Sequence, residues 1–346
     1  MLAAQAELKN AEKVKQFLLH HKLLHPDYLL VKEFNFIYFP VIKAAKVPQA
    51  KVLNTRFSFP SKKKNPLPED FLKEKLTAKE LALLPHSQEA VGKILILEIP
   101  LDLRKKERII AEAYLKSNRQ IETVVRKEQI HEGEYRLRKV RVLAGKNTKE
   151  TIHKESGVLL KLHLEQAYFS ARLAEERLRI AKQIQPGEEV LVMFSGAGPY
   201  LCVLGRHSQA RKIYGIELNP LAHQYALENV KLNNLQWKVM LYEGNVRKIV
   251  PQLGKLRKSG KTFDRIVMPL PKTGELFLDV ALKAAKKGTI IHFYTFCREE
   301  EIRKEGERIK QLCTQWKRPV NILRSVQCGQ SAPYVFRVCF DLKTIN

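Results

Sequence analysis

The sequence predicts an α/β fold, in which an open and mostly parallel sheet is preceded by two smaller α+β domains. Two observations carry this prediction. Between Val190 and Pro220 an apolar run enters a glycine-containing turn, a helix-compatible segment follows, and a second apolar run ends on Glu217. Downstream, apolar strand-like runs alternate with helical segments and end in a strand pair, as in open sheets with an antiparallel edge.

Length and charge bound the number of domains and the class of partner. The chain has 346 residues, which is too long for one ordinary domain. Its formal net charge of +26 attracts a polyanion before any specific contact forms, so nucleic acid is the expected partner. A lysine-rich surface kept for solubility, or an adaptation to heat or high potassium, is the other interpretation of the charge.

The cysteines and the N-terminus indicate the compartment. The five cysteines are odd in number and have no CxxC spacing, so we expect neither a metal site nor a disulfide framework. The N-terminus becomes polar and charged within ten residues, and no apolar run approaches the length of a membrane span. We therefore expect a cytoplasmic protein without membrane contact, and we expect it to be a monomer.

Residues 1–62 form the first predicted domain. The pattern predicts a helix over Ala11–His21 and aromatic strands over Glu33–Val41. Four residues of these strands fit either a core or a base-stacking face, with the core favoured because Phe and Tyr dominate small cores: Phe34, Phe36, Tyr38 and Val41. The lysine- and proline-rich run Ser61–Asp70 is typical of a linker.

Residues 63–150 form the second predicted domain, which is of the α+β class. Its elements are a helix over Thr77–Leu84, a strand over Val91–Ile99, a helix over Arg104–Ser117 and a strand over Thr123–Arg126.

A basic strand ends this second domain. Arg136, Arg138 and Arg141 fall on one probable strand, and the two-residue repeat puts Arg136 and Arg138 on the same face. A guanidinium can donate two parallel hydrogen bonds to phosphate or to O6 and N7 of guanine. A solvated basic face explains the same pattern without any function.

The third domain, residues 151–346, begins with a predicted strand over Val158–Leu164 and a helix over Gln166–Gln183. A helical wheel places four side chains of that helix within one quadrant: Tyr168, Arg172, Glu176 and Arg179. Glu175 lies near the same face, so periodicity does not select the important acid. An ordinary salt-bridged helix is the commoner explanation of Glu and Arg at this spacing. The strands predicted after the helix are Val190–Phe194, Ile213–Ile216, Trp237–Tyr242, Asp264–Met268, Gly288–Thr295, Ile322–Val326 and Tyr334–Phe340.

The glycine turn indicates which nucleotide binds. The turn runs from Gly196 through Gly198 to Pro199, lacks the third glycine of GxGxxG, and loses a backbone donor at Pro199, which disfavours a dinucleotide. Glu217 at the end of the next strand and Asn245 after the third suit an adenosine without phosphates. We expect S-adenosylmethionine. Methyl transfer to a protonated guanine nitrogen needs a carboxylate base and a cation at O6, and Glu176 and Arg136 are of those types.

Six motifs together resemble one family. LAGKNTKETIHKESG, YFSARLAEERLRI, MFSGAGPY, GIELNP, DRIVMPLPK and IIHFYTF occur in this order. Across essentially the whole chain the sequence resembles the archaeal and eukaryotic tRNA guanine-37 N1-methyltransferases. The resemblance implies a Rossmann-like class I methyltransferase domain with a mostly parallel seven-stranded sheet. It also implies an N-terminal domain that touches the outer corner of tRNA while the enzyme acts on the anticodon loop.

The resemblance also implies roles for individual residues. Arg136 stabilises guanine O6, Glu176 is the general base for the N1 proton, and the loop that begins at Pro269 closes over the flipped base. The expected cofactor contacts are Arg177, Phe194, Gly196, Gly198, Glu217, Leu218, Asn245, Val246 and Pro269. The expected substrate contacts are Arg136, Arg138, Tyr168, Arg172, Pro271 and Lys272.

Three residues depart from the family pattern. Val192 stands where many members have Asp, Asn245 replaces Asp beside the adenine, and Pro269 replaces the first residue of an Asn-Leu-Pro-Lys loop. These departures keep a non-enzymatic alternative open, namely a catalytically inactive tRNA-binding module. The enzymatic alternatives on the same nucleotide are a wybutosine-pathway aminocarboxypropyltransferase and a wyosine-precursor methyltransferase.

Overall fold

A computed structural model describes residues 1–62, 66–85, 88–132, 137–256 and 262–345, without the side chains of 129–132 and 255–256. The chain forms two compact units, Met1–Pro66 and Leu67–Asn346. Within the described residues, no helix combines the length and the apolar character that crossing a membrane requires. All five cysteines are free.

The first unit is a four-stranded antiparallel sheet with one helix. The helix α1 (Ala11–His20) buries Val14 and Leu18 against the sheet, which confirms the predicted helix. The sheet order is β2-β3-β1-β4, with β1 (Leu2–Glu7), β2 (Val31–Glu33), β3 (Phe36–Pro40) and β4 (Ala50–Asn54).

The core assignment in this unit is half correct. Tyr38 and Val41 are buried, but Phe34 is 93% exposed because it lies in the turn between β2 and β3 at a φ of 49°. Phe36 is also exposed, at the very start of β3.

The second unit begins with a four-stranded sheet and two α-helices. Its helices are α2 (Ala78–Ala82) and α3 (Glu107–Ser117), and its sheet order is β5-β6-β7-β8, with β5 (Gln88–Val91), β6 (Ile94–Leu97), β7 (Thr123–Glu132) and β8 (Leu137–Gly145). The predicted single strand over Val91–Ile99 is wrong. Gly92, at a φ of 55°, turns the chain back, and a Cβ there would overlap the carbonyl of Ile152, so β5 and β6 form a hairpin.

A two-stranded hairpin and a helix lead into the large sheet. The hairpin consists of β9 (Glu150–Glu155) and β10 (Val158–His163). The following helix α4 covers Ala174–Gln183 only, so the prediction of a helix from Gln166 is wrong for its first part. The reason is tertiary: the carbonyl oxygens of Phe169 and Ser170 accept hydrogen bonds from Arg138 and Arg177, and Ser170 has an extended backbone.

The large sheet has seven strands in the order β13-β12-β11-β14-β15-β17-β16, parallel except at β17. This confirms the predicted α/β fold. Its strands are β11 (Glu189–Met193), β12 (Lys212–Glu217), β13 (Val239–Glu243), β14 (Phe263–Met268), β15 (Ala285–Arg298), β16 (Val320–Ala332) and β17 (Val335–Thr344), and its helices are α5 (Pro199–His207), α6 (Pro220–Leu232), α7 (Val246–Leu256), α8 (Leu278–Lys283) and α9 (Ile302–Gln315).

The strand order determines where a ligand can bind. In β11 the side chains alternate between two cores, with Val190 and Val192 in one and Leu191 and Met193 in the other, so apolar residues cover both faces. The chain leaves β11 toward β12 and later returns on its other side as β14. Ligands of open α/β sheets bind at such a switch point, beyond the carboxyl ends of the strands.

Candidate active site

A cavity of about 190 Å³ opens at this switch point. Its walls include the segments that follow β11, β12 and β14, and its apolar surface includes Phe194, Leu218, Pro269, Leu270 and Phe277. We call it the apolar cavity. Aromatic and aliphatic walls with a few polar groups are typical of sites that bind a small organic molecule.

The glycine turn after β11 forms one wall of the apolar cavity. Phe194 has a φ of 61°, and its ring packs edge-on against Phe277 at 5.0 Å between centroids. Gly196 and Gly198 also have positive φ, and a Cβ on Gly198 would lie 3.2 Å from the Cβ of Ala226. The turn therefore needs glycine at 198 both for its backbone conformation and for its packing against α6. Gly196 lines the cavity, whereas Gly198 does not.

Glu217 places a carboxylate at the cavity wall. Its Oε2 accepts a hydrogen bond from the N–H of Gly196 at 2.6 Å, and its Oε1 accepts one from the N–H of Asn219 at 2.8 Å. Burial raises the pKa of Glu217, and these backbone donors act in the opposite direction. The backbone N–H of Leu218 is a third donor to this carboxylate. Of its about four acceptor sites one therefore stays open, which suits a ribose hydroxyl.

Two predicted cofactor contacts, and one residue that departs from the family pattern, lie away from this wall. Asn245 does not line the apolar cavity; its Oδ1 accepts the N–H of Arg247 at 2.9 Å and so caps the start of α7. Val246 is buried against the sheet beside it. Val192 is fully buried in the middle of β11, paired with Gly215 and Val267, in an environment that suits an aliphatic side chain.

A second cavity, of about 300 Å³, adjoins the first. We call it the basic cavity, because it is lined by Lys127, Arg138, Arg172, Lys272 and Arg337 and by two acids, Glu89 and Glu98. The two acids pair with Arg138 and Lys127. Among the described residues, no carboxylate pairs with Arg172, Lys272 or Arg337, so the cavity carries a net positive charge that favours an anionic ligand.

One segment, Tyr168–Ser170, lines both cavities. Two buried arginines hold it. Arg138 pairs with Glu89 at 3.0 Å and donates to the carbonyl of Phe169 at 2.8 Å. Arg177 pairs with Glu155 at 2.6 Å and donates to the carbonyl of Ser170 at 3.1 Å.

These contacts change the interpretation of both arginines. They were predicted to contact substrate and cofactor, and the structure places them at the cavity walls with protein partners that fix the segment between the two sites. Tyr168 itself precedes the helix instead of lying on it, and its hydroxyl accepts a hydrogen bond from Arg337 at 2.9 Å.

The loop after β14 also reaches both cavities. Pro269, Leu270 and Thr273 line the apolar cavity, and Lys272 lines the basic cavity. Pro271 is buried. The loop is closed by the N–H of Gly274, which donates to the carbonyl of Leu270 at 2.8 Å.

Glu176 and Glu175, which periodicity did not separate, differ in burial. Glu175 is exposed, whereas Glu176 is 5% exposed. Glu176 accepts two hydrogen bonds from Arg179, at 2.6 and 2.8 Å, and one from the Tyr294 hydroxyl at 2.6 Å. It lines a third cavity, of about 430 Å³, which shares Arg172, Cys328 and Gly329 with the basic cavity.

Arg136, the predicted partner of guanine O6, lies outside the described residues, so its placement is not given. Arg172 is exposed at the border of the basic and third cavities.

One buried cluster contains residue types that bind metal ions, but its ligand atoms already have other partners. His292, Cys339 and Asp341 lie close together. Asp341 is paired with Arg179 at 2.7 Å, and the Nε2 of His292 accepts from Arg265 at 2.8 Å. Two guanidinium groups already satisfy these ligand atoms, which disfavours a cation.

The sequence interpretation missed several residues at these cavities. Ser195 is buried at the wall of the apolar cavity, and its Oγ has no hydrogen-bond partner among the described residues. Phe277 and Arg337 come from elements that carried no motif. Tyr294 lies in the quoted motif IIHFYTF but had no role. A search for polar residues inside apolar strands would have found Tyr294 and His292.

Family comparisons match nearly the whole chain. The TRM5/TYW2 methyltransferase domain matches residues 151–323, the TYW2 N-terminal domain matches 69–148, and the tRNA methyltransferase 5 N-terminal domain matches 6–49.

Three curated relatives have distinct names. The tRNA (guanine(37)-N(1))-methyltransferase Trm5b of Pyrococcus abyssi is 33% identical, over 99% of this chain and 98% of the relative. The tRNA (guanine(37)-N(1))/4-demethylwyosine(37)-methyltransferase Taw22 of Nanoarchaeum equitans is 32% identical, over 66% of this chain and 90% of the relative. The tRNA(Phe) (4-demethylwyosine(37)-C(7)) aminocarboxypropyltransferase of Pyrococcus horikoshii is 29% identical, over 80% and 96%.

Three solved structures share the fold over the full length of both chains. Wild-type Trm5b from Pyrococcus abyssi has a TM-score of 0.72 at 31% identity. The complex of aTrm5 with tRNALeu has a TM-score of 0.69 at 27% identity. Methanocaldococcus jannaschii Trm5 in complex with adenosine has a TM-score of 0.64 at 26% identity.

Proposed function

This chain belongs to the TRM5/TYW2 methyltransferase family, and we propose that it transfers a methyl group from S-adenosylmethionine to N1 of guanine 37 in the tRNA anticodon loop. The observation that carries the proposal is the pair of adjoining cavities that share the segment Tyr168–Ser170. One cavity suits a nucleoside and the other suits an anionic nucleotide, so donor and acceptor would meet at this segment.

The residues of the apolar cavity fit S-adenosylmethionine. Glu217 offers an acceptor site for a ribose hydroxyl, and Phe194 and Leu218 offer apolar surface for adenine. The buried Oγ of Ser195 has no partner among the described residues, and a ligand would supply one. When bound, the cofactor supplies an activated methyl group on its sulfonium. No metal is needed for that chemistry.

Glu176 is the proposed base. It removes the N1 proton of guanine as the methyl group is transferred, while Arg136 stabilises O6, as the family resemblance implies. Arg172, Lys272 and Arg337 lie where they would hold the phosphates or the flipped base. The loop Pro269–Lys272 lines both cavities, so it can contact both the cofactor and the substrate.

The proposed partner is tRNA, bound as a complex with one copy of this chain in the cytoplasm. The unit Met1–Pro66 contacts the tRNA outer corner and the unit Leu67–Asn346 contacts the anticodon loop. The further division of the second unit at residue 150 stays a prediction.

A second reaction is favoured by one observation: residues 69–148 match the TYW2 N-terminal domain. An enzyme of that kind would move the aminocarboxypropyl group of the same cofactor. Incubation of the protein with tRNA and cofactor labelled either on the methyl or on the carboxyl group separates the two reactions. We expect only methyl label to enter tRNA, and carboxyl label in tRNA would contradict methyl transfer as the sole reaction.

A further inference from the structure

Two buried tyrosines connect Glu176 with the apolar cavity. Tyr294, on β15, is 1% exposed, and its hydroxyl donates to Oε1 of Glu176 at 2.6 Å. Tyr200, on α5, lines the apolar cavity, and its hydroxyl lies 3.0 Å from that of Tyr294. A carboxylate only accepts, so the Tyr294 proton points to Glu176 and the Tyr200 hydroxyl donates to the Tyr294 oxygen.

These contacts decide which oxygen of Glu176 is free to react. Oε1 accepts from both Tyr294 and Nη2 of Arg179, which uses its two acceptor sites. Oε2 accepts from Nε of Arg179 at 2.6 Å, and the Cys328 thiol donates to the carbonyl of Val326 at 3.2 Å. Oε2 therefore keeps an acceptor site that Oε1 lacks. Glu176 lines the third cavity, which shares Arg172, Cys328 and Gly329 with the basic cavity.

We propose that Tyr294 is a positioning residue for proton removal: with Arg179 it fixes the carboxylate of Glu176 so that Oε2 receives the N1 proton. The inference rests on the proposed function, because it needs Glu176 to be the base. The Tyr200 hydroxyl donates to the Tyr294 hydroxyl in turn. The orientation of the base therefore depends on a residue in the wall of the proposed cofactor site.

A purely structural role for Tyr294 is the competing interpretation. A buried tyrosine hydroxyl needs an acceptor, and a backbone carbonyl is sufficient for that, as Pro85 is for Tyr114 at 2.8 Å. Tyr294 instead donates to the carboxylate of the proposed base, which lines the third cavity. The two interpretations differ in whether the effect of removing the hydroxyl depends on Glu176.

A double-mutant cycle tests this dependence. Single-turnover methyl transfer is measured at saturating cofactor and tRNA for Tyr294→Phe, Glu176→Gln and the double variant. We expect Tyr294→Phe to lower the rate about 10- to 100-fold, the value of one hydrogen bond to a charged group, and to leave the Kd of cofactor and of tRNA within about twofold. In the Glu176→Gln background the same change should have no further effect. Tyr114→Phe, which also removes one buried hydroxyl, is the matched control and should keep the wild-type rate.

Each outcome is decisive. A wild-type rate for Tyr294→Phe, or an equal loss in both backgrounds, overturns the positioning role while Glu176 stays the base. A wild-type rate for Glu176→Gln overturns the base and the positioning role together. If Tyr294→Phe folds poorly, Tyr200→Phe removes only the second hydrogen bond and should lower the rate a few-fold, again only when Glu176 is present.

Discussion

The carboxylate of Glu217 joins the ends of two neighbouring strands, since its Oε2 accepts the backbone N–H of Gly196 at 2.6 Å. The glycine turn after β11 is thereby fixed to the acid that ends β12. A ligand that bonds to Glu217 therefore also stabilises the turn, so this side chain influences both the shape and the polarity of the wall of the apolar cavity.

Glu217→Gln should weaken cofactor binding. The amide retains one acceptor oxygen but loses the charge and the second acceptor, so we expect the Kd for S-adenosylmethionine to rise about 10- to 100-fold. Calorimetric titration in the absence of tRNA measures it. Glu243→Gln is the control, because Glu243 ends the next strand in register with Glu217 but is exposed. Equal affinities of the two variants would remove Glu217 from the cofactor site.

Arg138→Lys should cost stability and tRNA binding, because an ammonium group cannot replace both the pair with Glu89 and the hydrogen bond to Phe169. We expect the free energy of unfolding to fall by about 2 kcal/mol and the Kd for tRNA to rise several-fold. Arg141→Lys on the same strand is exposed and should change stability by less than about 0.5 kcal/mol. Thermal unfolding compares them, and an unaffected Arg138→Lys would show that the segment Tyr168–Ser170 is held by other contacts.

Asp341→Asn should destabilise the fold in a pH-dependent way. Burial alone would raise the pKa of Asp341, but hydrogen bonds from His292 and Arg179 outweigh burial and hold that pKa below its usual value. The ionised group therefore stabilises the folded state above about pH 4, and this contribution is lost as the pH falls below that value. At neutral pH we expect a loss of about 3–5 kcal/mol, since removing Asp341 leaves Arg179 without one of its two partners.

Urea unfolding at several pH values measures this effect. The difference between wild type and Asp341→Asn should shrink on acidification. Asp279→Asn, whose partner Arg247 is half exposed, is the control and should change stability by about 1 kcal/mol or less. A pH-independent difference would mean that Asp341 contributes through packing and not through its charge.

Binding of tRNA should depend steeply on salt. The net charge of +26 and the three cations of the basic cavity without a described carboxylate partner imply contacts with several phosphates. We expect the affinity to fall about 10- to 1000-fold between about 50 and about 200 mM salt. A filter-binding series with unmodified transcript provides the slope. An affinity that does not change with salt concentration would mean that the positive charge serves solubility and not tRNA binding.

The large sheet was predictable because its signals are local. Apolar runs of strand length alternate with helical segments from Val190 to Phe340, and the glycine turn with Glu217 marks the ligand edge. The small domains were less predictable. The hairpin at Gly92 lies within what the sequence shows as one apolar run. The strand β9 has an ordinary polar composition, so no apolar run indicated it.

The site was predictable where a motif carried it and not where long-range contacts did. Helical periodicity placed Tyr168 on a helix with Glu176, whereas hydrogen bonds from Arg138 and Arg177 keep Tyr168 outside that helix. The pairing of Glu176 with Tyr294 joins residues 118 positions apart, which no local pattern indicates. Asn245 follows the third strand, as the sequence pattern predicts, but its side chain caps α7 and does not line the apolar cavity.

Methyl transfer to N1 of guanine 37 is tested most directly by the position and identity of the product. Two tRNA transcripts that differ only in guanine or adenine at position 37 are incubated with the protein and S-adenosylmethionine, digested, and analysed by mass spectrometry of the oligonucleotides and nucleosides. We expect 1-methylguanosine in the fragment that contains position 37 of the first transcript and no methylation of the second. Methylation of both transcripts at another position, or of neither, would contradict the claim.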